Sequence, residues 1–538
     1  MLRKEETVYP KRIVKSENAE NAESLLVEKP IVLTFGNSPV CTLKNGKGER
    51  SFILLDLGRE IQGSCKIVVP QTKGGQTVKL RFTFGESVTE ALSKIGEKGA
   101  TNDHSPRDFI CEAPCASALE FGQTGYRFIK IELLGEDTFI KFQTVAGICK
   151  TEPIEQLGYI KTGDRVFDEI LQTAIYTCRL TLQDGVLWDG IKRDRFIWSG
   201  DLNAGLMTAC YAFGATKNVK TSLQILRDAS NADWVNWIPS YSAWWLINLS
   251  DYYALSGDLA FVKESVPFIN AVLADFDACV GRDGEIDFSK CDKATNMPFY
   301  FDWQSHESPD AKIGVAMLIV YAARKILRLG VSGICFNKAE SLVKKLSVYE
   351  TASTDYKQIL AIQSLCGGKT DVKEALERNG AAGFSMFASY FLFSALFDCG
   401  SKKTVEIAKE YYGGMLSRGA TTFWEDFDVE WLNGSGRIDE ETPDGVKDLH
   451  ADFGRYCYTG LRHSLCHCWS SGIVAFAFEK IVGVRILETG FKRIKITPNL
   501  CGLQNLEAKF ACPQGVIFVR VKDGKTYVEA PDGVQVEY

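Results

Sequence analysis

The chain has 538 residues, too many for one ordinary core, and its 45% hydrophobic and 24% charged content is that of a soluble globular protein of about two to four domains. A net charge of -6 without a sustained basic block argues against nucleic acid and anionic membrane as partners. Seventeen scattered cysteines without a CxxC pair, beside only five histidines, point to reduced buried thiols rather than a disulfide scaffold, and to neither a metal centre nor another cofactor.

The opening MLRKEETVYPKR puts charges where a secretory signal needs an apolar core, so a cytoplasmic protein with a polar leader over residues 1–30 is expected. The longest uncharged apolar stretch, near Ile313, is on the order of ten residues and too short for a membrane span. Residues 31–155 read as an antiparallel β-sandwich, because Val78, Leu80, Phe82 and Phe84 alternate with Lys79, Arg81 and Thr83, as do Ile129, Ile131 and Leu133 with Lys130 and Glu132. From about 160 the period changes: Val166, Ile170, Ala174 and Cys178 make a helical face, and similar runs follow at 202–213, 217–229, 241–255, 258–280, 310–329, 337–349, 353–366, 386–399, 402–413 and 467–481. So many antiparallel helices with short Gly-containing connections suit either a solenoid or a closed α/α toroid, and without a fixed-length repeat the toroid over 156–482 is preferred. Residues 483–538 return to period two, with Asp523-Gly524 as a hairpin turn, and form a small C-terminal β-domain.

Long irregular segments at 184–200, 283–308 and 414–460 carry the chemistry. DGIKRDRFIWSGD, Asp189 to Asp201, packs three carboxylates, three cations and a tryptophan into a loop between helices. Arg193, Asp194 and Arg195 could equally be surface ion pairs, Trp198 a core anchor, and Ser199 or Asp201 a helix cap. GATTFWEDFD places Glu425 beside Trp424, the carboxylate-plus-indole pairing that a sugar site uses, although a core tryptophan with a solvated glutamate fits too. Asp302 and Trp303 repeat the theme, and RHSLCHCWSSG brings Arg462, His463, His467 and Trp469 to the last helix.

These segments resemble glycoside hydrolase family 78, the bacterial and fungal α-L-rhamnosidases. The family's motif D-x-P-x-R-(D)-E-R-x-G-W-x-G-D is matched by Asp189, Arg193, Arg195, Trp198, Gly200 and Asp201, and its GATT-x-WE segment by Gly419 to Glu425. LLDLGREIQGS and FTFGES are similar to the domain before the family's barrel, and GFKRIKITP to the one after it. The resemblance implies an (α/α)6 barrel flanked by β-domains and an inverting exo-glycosidase releasing terminal rhamnose. Asp194 would be the general acid and Glu425 the general base, with Asp189, Arg193, Trp198, Asp201, Asp302, Trp303, Trp424 and His467 around the sugar. Two departures stand out: Ile191 replaces the usual proline, and Asp194 stands where the family has glutamate. A general acid between two arginines needs burial or a carboxylate neighbour to keep its proton, and Asp189 and Asp201 are the candidates. Another (α/α)6 enzyme of different sugar specificity, or a carbohydrate-binding relative without the acid, are the alternatives. Oligomeric state, calcium dependence and aglycone are left open.

Overall fold

The computed structural model describes residues 3–34, 36, 38–230 and 233–538. Met1 and Leu2 of the expected leader lie outside the described residues, as do Phe35, Asn37, Asn231 and Ala232. The rest of the leader is a correction. Lys4–Val8 and Arg12–Glu17 are strands, paired antiparallel with Thr144–Thr151 and Ser51–Val69. Their charges looked like solvated coil, but a strand at the margin of a sheet can leave most of its side chains in water, and here Lys4, Glu5 and Glu6 are exposed while Val8 is buried.

Ser51–Val69 and Ser117–Leu134 form the centre of a seven-stranded antiparallel sheet, extended by Val78–Gly85 and Asp108–Ala113. The alternation read from the sequence sets its faces: Leu80, Phe82 and Phe84 are sealed while Lys79 is exposed. A four-stranded sheet built on Cys41–Asn45 and Thr138–Phe142 contributes Cys41, Leu43, Ile140 and Phe142 to the same core.

Six helices, Ser199–Phe213, Pro239–Ser256, Ala311–Leu327, Lys357–Leu365, Ser389–Asp398 and Gly472–Phe476, each pack against the next, and the last packs back against the first. Ser199–Phe213 is buried along its whole length and Pro239–Ser256 nearly so. Small and apolar residues all round leave such helices no solvent face, so other elements must surround them. The alternating partners Arg165–Thr181, Thr216–Ser230, Leu259–Cys279, Phe336–Leu346, Lys373–Glu377 and Thr404–Ser417 lie against this circuit. Thr216–Ser230 shows the pattern, burying Val219, Leu223 and Leu226 while Lys217 and Asp228 face water. The run expected at 467–481 is broken, with Gly472–Phe476 α-helical and Ala477–Ile481 a single π turn.

In the tail, Leu506–Cys512, Gly515–Lys522 and Lys525–Glu529 form a meander that Tyr159–Lys161 joins at its edge. Phe510 packs on Tyr211, Phe478 and Phe491, fastening this sheet to the helices. No helix among the described residues is long and apolar enough to cross a membrane.

The large sheet touches the helical region where the irregular segments lie. Gly125 donates its N–H to the Ile191 carbonyl at 3.0 Å, and a Cβ at Gly125 would collide with Ile191. Ile191, at the family's proline position, is sealed into the sheet's core with Leu180 and Cys466. Arg127 pairs with Asp56 at 2.7 Å and donates to the Gly419 carbonyl at 2.7 Å. The sheet thus grips both motif-bearing loops.

Candidate active site

The first loop closes on itself. Asp189 donates its N–H to the Phe196 carbonyl at 3.0 Å, and the Phe196 N–H returns to Asp189 Oδ1 at 3.0 Å. Asp194 and Arg195 take left-handed conformations within it, at φ 55° and 58°. An L-residue held there costs about 1 kcal/mol or more, so the surroundings must enforce it. Ser199 and Asp201 are not the cap of the following helix: Trp198 is the N-cap residue, and Asn236 Oδ1 takes the Ser199 N–H at 3.0 Å.

Residues 463–469 act as a splint between the two motif segments. On one side Cys468 donates its N–H to the Asp189 carbonyl at 2.6 Å, and Gly190 bridges His467. On the other, Glu425 N–H meets the Ser464 carbonyl at 2.9 Å, Ser464 N–H meets Glu425 Oε2 at 3.0 Å, and Trp469 Nε1–H meets the Glu425 carbonyl at 3.0 Å.

Both segments open on one cavity of ≈ 200 Å³. Its lining includes Asp189, Arg193, Asp194, Trp198, Asp201, Trp303, Glu425 and His467, eight of the ten residues singled out from the sequence. Asp302 and Trp424 are not in that lining. Asp302 is buried and accepts the Ser305 N–H at 3.0 Å, and Trp424 is buried edge-on against Phe427. Successive side chains of a non-helical stretch point in different directions, so placing Trp303 and Glu425 in the pocket turns their neighbours into the core.

Arg193 organises the charges. Its Nη2 donates to both Glu425 oxygens at 2.6 Å, its Nη1 to the Asp194 carboxylate, and its Nε to the Arg462 carbonyl at 3.0 Å. Burial raises the Glu425 pKa, against the opposing pull of Arg193 and of the Ser464 N–H. Burial also holds Asp189 and Asp201 well above the usual carboxylate range; nearby Asp194 adds to both, and the Tyr241 hydroxyl, 3.0 Å from Asp201, only partly offsets it. A carboxyl pushed up in this way favours its protonated form, which can donate to a hydroxyl. His467, pushed well below its ordinary value by burial and then by Arg193, stays a neutral imidazole, 3.7 Å from Glu425 and 3.8 Å from Asp201. Carboxyl groups, a neutral imidazole and aromatic walls in one pocket suit acid–base work on a polyhydroxylated ring.

Tyr241, Tyr300 and Tyr458 also line the pocket, and no motif announced them. His104 was missed as well. Its Nδ1 lies 2.8 Å from the Asp194 N–H and 2.9 Å from the Asp194 carboxylate, reached from a loop of the β-sheet region with no signal in the local sequence. Two trios among the described residues bring ligand-type atoms within 4.8 Å: Asp189, Asp201 and His467 in the pocket, and Glu86, Glu90 and His450 behind it. In the second, the Lys192 ammonium stands 3.3 Å from Glu86 and 3.0 Å from Glu90 and supplies the positive charge itself.

The pocket thus belongs to a circuit of paired helices within a multidomain chain of helices and sheets. Residues 155–313 match the family model of the bacterial alpha-L-rhamnosidase 6 hairpin glycosidase domain, so the resemblance carried by the Asp189 motif stands. The fold is similar to that of the family 78 rhamnosidase of Bacillus sp. GL1, with a TM-score of 0.70 and 18% identity over 96% of this chain and 55% of that one. It is similar also to a rhamnosidase from Klebsiella oxytoca with rhamnose bound (0.68, 18%, 90% of this chain and 96% of that one) and to the Streptomyces avermitilis alpha-L-rhamnosidase complexed with L-rhamnose (0.67, 16%, 93% and 50%). The chain therefore spans about half the length of the Bacillus and Streptomyces proteins and nearly all of the Klebsiella one. No curated protein sequence matches it.

Proposed function

We propose that the chain is an exo-acting α-L-rhamnosidase that works with inversion, its helical circuit an (α/α)6 toroid, with Asp194 as general acid and Glu425 as general base. The observation that carries the reading is Arg193 spanning Asp194 and Glu425 at the wall of a single ≈ 200 Å³ pocket. Ligand sites commonly run to about 300–1,000 Å³, so this one suits a single sugar ring with its leaving group outside. In this reading Asp194 protonates the glycosidic oxygen as its bond to the anomeric carbon breaks. Glu425 takes a proton from the water that forms the new bond on the opposite face. Arg193 Nη2, 2.6 Å from both Glu425 oxygens, favours the carboxylate form, while burial raises its basicity. In the same reading Asp189, Asp201 and Tyr241, which line the pocket, hold ring hydroxyls, and Trp198 and Trp303 pack on apolar ring faces.

The test is paired substitution. Asp194→Asn and Glu425→Gln should each abolish turnover of an aryl α-L-rhamnoside while rhamnose still binds by calorimetry. A near-normal rate in either variant overturns the assignment. One observation favours a second reading of the acid: burial pushes the Asp189 carboxyl well above the usual carboxylate range, whereas Asp194 contacts the Arg193 cation. If Asp189 is the donor, Asp189→Asn stops turnover and Asp194→Asn only slows it. A chain that only binds sugar would bind rhamnose and turn over no glycoside even as wild type.

A further inference from the structure

Two thiols meet at the root of the segment that carries Met297, Tyr300 and Trp303 to the pocket lining. Cys279 ends the helix Leu259–Cys279, and the chain turns back directly after it. Val280 bridges Ile286, Gly281 N–H meets the Glu285 carbonyl at 2.8 Å, and Asp287 N–H meets the Cys279 carbonyl at 2.9 Å. A single turn, Phe288–Lys290, then returns Cys291 to the end of the helix. Its Sγ lies 2.9 Å from Cys279 Sγ and 3.4 Å from the Asp275 carbonyl, and Lys293, paired with the Asp275 carboxylate, fixes the return.

Both groups are free thiols. A disulfide holds its sulfurs about 2.05 Å apart, so these two need to close by less than about 1 Å. They differ in access. Cys279 is sealed, whereas Cys291 is partly exposed and lines a cavity of ≈ 770 Å³ formed by the 286–299 segment. Burial, reinforced by the hydrogen bond with Cys291, pushes the Cys279 thiol far above its ordinary value. Cys291 is therefore the sulfur that meets an incoming reagent. A second pair, Cys178 beside Cys468, is sealed on both sides and offers no such entry.

We infer that Cys279 and Cys291 form a redox modification site, oxidised to an intrachain disulfide by a low-molecular-weight disulfide such as oxidised glutathione, and that the bond clamps the root of the pocket wall. The Cys291 thiolate attacks one sulfur of the reagent, forms a mixed disulfide and expels one small thiolate, which takes up the Cys291 proton. Cys279 then gives up its proton, attacks Cys291 Sγ and expels the second small thiol. Two hydrogens and two electrons pass from the protein to the reagent, which leaves as two thiols. The sulfurs already adjoin, so the bond leaves the wall in place and acts by restricting its opening.

Two measurements test it. The folded protein is incubated with oxidised glutathione, its remaining thiols are blocked with N-ethylmaleimide, and its peptides are read by mass spectrometry. A Cys279–Cys291 cross-link should be the chief one formed and should vanish on treatment with dithiothreitol, while Cys178 and Cys468 remain reduced. In Cys279→Ser the reaction should stop at a glutathione adduct on Cys291. An unmodified Cys291 in the wild type, a wild-type reaction that stops at the adduct, or a cross-link from Cys291 to another cysteine overturns the inference. Hydrogen exchange reads the clamp. Amides of residues 292–303 should exchange roughly threefold or more slowly in the oxidised protein than in the reduced one, and oxidant should leave their exchange in Cys291→Ser unchanged. Equal exchange in the two wild-type states overturns the clamp. Neither readout needs glycoside turnover, so both decide the thiol pair independently of the rhamnosidase reading.

Discussion

Replacing Lys192 with methionine tests how the β-sheet region holds the two motif-bearing loops. The ammonium is buried 3.3 Å from Glu86 and 3.0 Å from Glu90, and it donates to the carbonyls of Leu461 at 2.6 Å and His463 at 2.5 Å. Glu86 in turn accepts the Leu465 N–H at 2.6 Å and the Ser464 hydroxyl at 3.0 Å, and Ser464 N–H holds Glu425. Methionine fills similar volume but removes the cation beside two buried carboxylates and a donor to two carbonyls. Breaking a buried pair in this way costs about 3–5 kcal/mol. Lys192→Met should therefore lose that much unfolding free energy in urea titration at neutral pH. Adding Glu86→Gln removes one stranded charge, so the double variant should recover about 1–3 kcal/mol relative to the sum of the single effects. The pH dependence follows from Glu86, whose carboxyl burial pushes up to about 7 while Lys192 pulls it down. Its folded value lies above its unfolded one, so its contribution is present at low pH and fades as pH rises through about 7. Without Lys192 that fading becomes steeper, and the variant's deficit should shrink between pH 7 and 5. A deficit under about 1 kcal/mol, or strictly additive single effects, refutes the reasoning.

Other outcomes follow from the same structure. Burial depresses the His450 imidazole to about 4, so its neutral form adds stability above pH 6.5 that is lost as pH falls toward 4; His450→Asn should flatten that acid limb in urea titrations. Tyr241→Phe removes the hydroxyl 3.0 Å from Asp201 and should reduce kcat/KM on an aryl rhamnoside roughly ten- to a hundredfold, leaving the melting temperature within a few degrees. His104→Ala should lower kcat, because His104 Nδ1 accepts the Asp194 N–H and helps hold that residue in its left-handed conformation; an unchanged kcat would remove His104 from the positioning of Asp194.

The longer helices were legible because each carries a 3.6-residue stripe or, as in Ser199–Phe213, small apolar residues throughout; Lys373–Glu377 was not, since five residues are too few to show a period. The sheet was legible where one face is buried, as at Leu80, Phe82 and Phe84. Lys4–Val8 was not, since a marginal strand with exposed charges looks like coil. Asp189, Arg193, Asp194, Trp198, Asp201, Trp303, Glu425 and His467 could be read as one site because polar, Trp-bearing loops in a helical chain need a reason to exist. Which member of a neighbouring pair faces inward could not, as Trp424 beside Glu425 and Asp302 beside Trp303 show. Nor could His104 or the Asn236–Trp237 turn, whose roles depend on contacts from distant loops and on left-handed conformations that no glycine marks.

The most direct test of the paired roles of Asp194 and Glu425 is proton NMR of the sugar during the first moments of hydrolysis of an aryl α-L-rhamnoside. Attack by a water that Glu425 activates on the face opposite the leaving group releases β-L-rhamnose first, with the α anomer growing in by mutarotation. Initial release of α-L-rhamnose would contradict it.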